Sequence, residues 1–117
     1  MRLGRAMIFV GDLPKMIAFY QDKLGMRPLG EARLDNYVEF EGGLALHLIP
    51  EAARCGNGGP VEPREQNPVK LSFEVGDVAA ERRRLEGLGV TILDRPWGGW
   101  DAVDPEGNVF GVVARES

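Results

Sequence analysis

Two nine-residue stretches, RAMIFVGDL at 5–13 and KLSFEVGDV at 70–78, read almost alike. Val10-Gly11-Asp12 returns 65 positions later as Val75-Gly76-Asp77, and Leu24-Gly25-Met26 returns 64 positions later as Leu88-Gly89-Val90. A repeat at a fixed period constrains a fold more than any lone motif, because each copy must be the same supersecondary unit. A chain of 117 residues has room for two such units and little else.

Between its marks each copy reads as a helix. Asp12 suits the N-cap, and Pro14 fits the first turn, where a missing N–H costs nothing. Leu13, Ile17, Tyr20 and Leu24 follow at steps that make one apolar stripe, and Gly25 is the expected left-handed stop. In the second copy Asp77 is the cap, Val78, Leu85 and Leu88 form the stripe, and Gly89 is the stop. A strand precedes each helix, over 4–10 and 69–75. Extended runs follow over 28–33, 36–41 and 44–49, and again over 91–95, 100–103 and 108–114. Glu41-Gly42-Gly43 and Asp104-Pro105-Glu106-Gly107 are the turns of the two final hairpins. The chain thus divides into a β-α-β-β-β module at 1–49, a Gly/Pro-rich linker at 50–68 and a second such module at 69–117.

Composition removes several function classes. Fourteen basic against eighteen acidic residues give a net charge of −4, which argues against nucleic acid as the partner. Arg82-Arg83-Arg84 lies beside Glu81 and Glu86 on the second helix and reads as a solvated face. A single cysteine, Cys55, in the linker beside Arg54, rules out an internal disulfide and a cysteine-rich zinc site. No apolar run has the length of a signal peptide or a membrane span, so the expected place is the cytoplasm, away from membranes.

Twin modules of this layout resemble the vicinal-oxygen-chelate superfamily of glyoxalases, bleomycin-resistance proteins and extradiol dioxygenases. The residues that carry the resemblance are Val10-Gly11-Asp12-Leu13, Ala18-Phe19-Tyr20, Leu24-Gly25-Met26, Pro96-Trp97-Gly98 and Asp104-Pro105-Glu106-Gly107-Asn108. The resemblance implies an α+β fold in which two tandem modules form a cup-shaped mixed sheet with helices on the outer faces. It also implies a homodimer and a small organic ligand in the cup.

Strand alternation assigns the inner faces. Arg5, Met7 and Phe9 face inward on the first strand, and Lys70, Ser72 and Glu74 on its repeat. Tyr37, Glu39 and Glu41, then Ala45, His47 and Ile49, then Val109, Gly111 and Val113 complete the inner set.

In the metal enzymes that the chain resembles, ligands stand at four points, which fall here on Arg5, His47, Lys70 and Gly111. Arg5 to Lys70 is 65 positions, and His47 to Gly111 is 64. Arg cannot give up its proton, Lys does so only against a high pKa, and Gly has no side chain. One imidazole does not make a metal site. The expectation is therefore a cup without metal or other cofactor that binds a small organic molecule. Arg5, Phe9, His47, Lys70, Glu74, Trp97 and Trp100 are its expected binding residues. The alternative is a glyoxalase-like lyase, isomerase or dioxygenase that acts on a small anionic substrate. There Arg5 and Lys70 would clamp the anion and His47 would be the acid or base, or a non-standard metal site of His47 with Glu39 and Glu74 would serve. Glu39 and Glu74 share that face and are candidate partners for the two cations. A third reading is an interaction module whose cup is incidental.

Overall fold

Alternating apolar and polar residues, punctuated by Gly-marked turns, build the same unit twice. The computed structural model describes residues 1–49 and 62–115, with the backbone alone at 31–33. Contacts group the chain into two compact units, Met1–Gly59 and Pro60–Ser117. The first contains β1 (Ala6–Val10), α1 (Leu13–Ala18), one π-helical turn (Phe19–Lys23), β2 (Pro28–Leu34), β3 (Tyr37–Phe40) and β4 (Leu44–Leu48). The second contains β5 (Leu71–Val75), α2 (Val78–Gly87), β6 (Thr91–Asp94), β7 (Trp100–Val103) and β8 (Val109–Ala114). The fold is α+β, with two β-α-β-β-β modules.

Each unit holds a four-stranded mixed sheet, in the orders β1-β4-β3-β2 and β5-β8-β7-β6. In each, the first and last strands pair in parallel and the rest antiparallel. α1 packs on β4, and α2 on β6 and β8. The apolar sets fall on these helix sides as expected. Val10, Val38, Phe40 and Leu46 are buried in the first unit, and Phe110 packs edge-on against Phe73 in the second.

Both helices open as their sequences dictate. Asp12 Oδ1 accepts from the Lys15 N–H at 3.1 Å, and Asp77 Oδ1 from the Ala80 N–H at 3.0 Å. Gly25 and Gly89 take positive φ of 72° and 79° at the exits. The helix expected through Leu24, however, is α-helical only as far as Ala18. From there the ladder widens, and the Leu24 N–H donates to the Phe19 carbonyl at 3.1 Å. The wider turn points two consecutive aromatics, Phe19 and Tyr20, into the core, ring to ring at 5.2 Å. Met16 is also fully buried, so the apolar face is broader than the four-residue stripe. In the second copy Leu88 is exposed. It caps α2, and Val90 takes the core place instead, its N–H on the Leu85 carbonyl at 3.0 Å.

The β7–β8 turn is built around Asp104. Its Oδ1 accepts from the N–H groups of Glu106 and Asn108, both at 2.9 Å, and its Oδ2 accepts from the Asn108 amide at 2.8 Å. The expected linker lies outside the described residues as far as position 61, and Cys55 with it. Its last part returns to the second sheet, where the Arg64 N–H donates to the Gly107 carbonyl at 2.8 Å.

Candidate functional site

Each sheet has one face on its helix and one facing away from it, and the second carries the expected site residues other than Trp100. In the first unit, Met7 and Phe9 stand on β1 with 44% and 53% of their surface exposed. Phe9 pairs with His47 across the parallel ladder, and Tyr37 pairs with His47 from the other side. The imidazole lies 5.9 Å from the Phe9 ring and 6.0 Å from the Tyr37 ring, centroid to centroid. Among the described residues no carboxylate hydrogen-bonds to His47, so nothing there orients it as a general base would need.

Arg5 lies just before β1. Its guanidinium donates to the Tyr37 hydroxyl at 2.8 Å and pairs with Glu39. The Tyr37 hydroxyl in turn donates to Glu39 at 2.6 Å, and this bond to a carboxylate raises its pKa. Glu39 is thus the partner of Arg5, as its place on the face suggested.

The second unit repeats the device with different residues. Lys70 lies just before β5, and its ammonium pairs with Asp101 at 2.8 Å. The expected partner, Glu74, stands further along β5 and is exposed; the carboxylate within reach is on β7. Asp101 is 5% exposed. Its second oxygen accepts from Arg95 Nε at 2.8 Å, and the Arg95 fork closes on both oxygens of Glu65 at 2.9 and 2.8 Å. Sequence reasoning missed Asp101, Arg95 and Glu65. One signal was present: Gly111, bare of side chain, lies opposite Asp101 and leaves a gap a long cation can cross. A Cβ on Gly111 would stand 2.9 Å from Ser72 Oγ, 3.4 Å from Lys70 Cε and 3.5 Å from an Asp101 oxygen.

Register revises one equivalence. Met7 pairs with Ala45, and Ala45 with Glu39; Ser72 pairs with Gly111, and Gly111 with Asp101. The structural counterpart of Gly111 is therefore Ala45, while His47 corresponds to Val113. Equal spacing along the chain misled because the turn at 104–108 is longer than the one at 41–43. Trp100 also leaves the expected set. It alternates with Asp101 on β7 and sits on the helix side, with the Arg82 guanidinium 5.9 Å from its ring. Trp97 stays on the open side, 76% exposed, in the turn between β6 and β7.

The residues at the four points do not fit a divalent metal. Arg5 and Lys70 bring cations already held by carboxylates, and Gly111 brings no donor. Among the described residues no group of three or more His, Cys, Asp or Glu side chains is gathered for an ion.

The network carries a pH dependence. Burial pushes the Asp101 carboxyl up, but hydrogen bonds from Lys70 and Arg95 outweigh it and hold it below the ordinary range. The Arg95 fork holds Glu65 low as well, against a smaller effect of burial. A carboxyl depressed in the folded state stabilises it above the unfolded pKa, near 4, and loses that contribution as pH falls through the folded value. Urea unfolding between pH 6 and pH 2 is expected to show falling stability below about pH 4. Asp101→Asn is expected to flatten that slope, and an unchanged slope would refute the assignment.

A family model described as the Glyoxalase/Bleomycin resistance protein/Dioxygenase superfamily matches residues 2–112. The chain belongs to this superfamily. Among solved structures, this superfamily member is similar to a protein of unknown function from Agrobacterium tumefaciens C58. That likeness has 25% identity and a TM-score of 0.73, over 99% of this chain and 95% of the other. It is also similar to TnmS3, an antibiotic binding protein from Streptomyces sp. CB03234, at 21% identity and a TM-score of 0.65, over 99% and 97%. The fosfomycin resistance protein FosX of Listeria monocytogenes matches at 18% identity and a TM-score of 0.69, over 95% and 89%. The last two likenesses are of fold alone. No curated protein matches the chain. No helix among the described residues is long and apolar enough to cross a membrane.

Proposed function

We propose that this protein binds a small, planar organic molecule on the open faces of its sheets, without a metal and without turning it over. One observation carries the reading: the first sheet presents Phe9, Met7 and the edge-on rings of His47 and Tyr37, while its cation is already matched by a carboxylate. Large aromatics left half-exposed beside a neutralised charge suit a stacked heterocycle better than a small acid. The antibiotic-binding role of TnmS3, a protein of the same fold, agrees with this reading. The anion-clamping enzyme is disfavoured at this sheet, because Arg5 is engaged with Tyr37 and Glu39 and His47 lacks an orienting partner among the described residues.

Calorimetric titration of the untagged protein with a panel of planar aromatic antibiotics tests the proposal, with mass spectrometry of the recovered ligand. Saturable binding and an unchanged ligand mass are expected. Phe9→Ala should weaken that binding about fivefold, as loss of one aromatic contact worth about 1 kcal/mol predicts. Turnover, or a stoichiometric metal retained after dialysis against Ni²⁺, Zn²⁺, Mn²⁺ and Fe²⁺, would sink it. The proposal extends to a cytoplasmic homodimer, motivated by superfamily membership; a monomer mass in sedimentation equilibrium would count against it.

A further inference from the structure

The second unit holds a cleft of about 340 Å³ whose chemistry differs from that of the first sheet. Its charged lining is Arg64, Glu65, Lys70, Arg95 and Asp101. The carboxylates are already committed. Both oxygens of Glu65 accept from Arg95, and the two of Asp101 accept from Lys70 and Arg95. The donors are not exhausted. In the described contacts Lys70 gives one of its three N–H bonds to Asp101, and its side chain is 47% exposed. The Lys70 ammonium therefore offers spare N–H groups to a ligand in the cleft.

Trp97 supplies the other half. A Cβ on Gly99 would stand 2.8 Å from the indole Nε1, so the ring folds back over a glycine backbone. The turn beneath is tied twice, from the Arg95 N–H to the Gly99 carbonyl at 2.8 Å and from the Gly98 N–H to the Arg95 carbonyl at 3.0 Å. An indole so exposed, yet seated on a braced turn at the edge of a cleft, presents a fixed flat surface.

We propose that this cleft selects an aromatic carboxylate, or an equally anionic aromatic oxygen, with its ring on Trp97 and its anion on the Lys70 ammonium. The proposal rests on the small-molecule reading above and adds the charge class of the ligand at this sheet.

The test uses three probes of one shape: 2-naphthoate, neutral 2-naphthamide and 2-naphthylmethylammonium. They are titrated into Trp100→Phe protein, so that Trp97 is the sole indole reporter, and checked by calorimetry on the unsubstituted chain. Naphthoate is expected to bind about tenfold more tightly than the ammonium probe, as one charge-assisted hydrogen bond predicts, with the amide between. Lys70→Met should bring the three to within about twofold without loss of amide affinity, whereas Lys70→Arg should keep the order. Trp97→Ala should weaken all three about fivefold or more. Lys70→Met leaves Asp101 one cation short, so far-UV circular dichroism accompanies it, and the intact-fold variant Lys70→Arg stands as the independent arm. Equal affinity for the three probes in the unsubstituted protein, an anion preference that survives Lys70→Met, or no binding at all overturns the proposal. None of these outcomes touches the antibiotic panel and Phe9→Ala, on which the general binding reading stands or falls.

Discussion

Asp101→Ala is expected to lower the free energy of unfolding by about 3 kcal/mol, the scale for removing one member of a buried ion pair. Asp101 is buried and accepts from two cations at 2.8 Å. The Arg95 side chain is only 17% exposed and would keep Glu65 but lose its second anion. Lys70, nearly half exposed, would find water, so the cost falls short of that for a wholly buried triad. Asp101→Asn should cost less, since the amide oxygen still accepts one bond. Urea unfolding at neutral pH measures both. A loss below about 1 kcal/mol for the alanine variant would show that the network is a surface feature.

Phe40→Ala is expected to cost about 4 kcal/mol, the usual range for emptying an aromatic site in a core. Phe40 is 1% exposed and tilts against Tyr20 at 6.3 Å. Tyr20 is there because the π-helical turn swings it inward beside Phe19, so a cavity at Phe40 removes the wall that the widened turn packs on. Phe40→Leu fills much of the space and should cost about 1 kcal/mol. Near-equal losses for the two variants would mean that the site collapses around the smaller residue.

How much of this was readable depended on the range of the interaction. The strands, the Asp12 and Asp77 caps and the Asp104 turn are set by residues a few positions apart, and they stand where alternation and turn chemistry put them. The widened turn at Phe19 was invisible, because Leu13, Ile17, Tyr20 and Leu24 satisfy an α-helical stripe equally well. The pairing of Glu65 with Arg95 spans 30 positions and leaves no local trace. Asp101 was hidden for a different reason. Its alternation with Trp100 and Ala102 could be read, but its place beside Lys70 depends on register, and register depends on a turn whose length differs between the copies. The same shift separates His47 from Gly111.

Every strand pairing described lies within one module, and the most distant in sequence joins β5 to β8. Ala6 meets Leu44, and Leu71 meets Phe110, so the widest loop that either sheet must close is about 39 residues. For the order in which the molecule assembles, the chain behaves as two short polymers joined end to end. The sequence separation of its strand pairings reflects a module and not the whole length, and its search for parallel pairing is correspondingly brief. Duplication has doubled the sheet surface while leaving the slowest closure as it was in one copy.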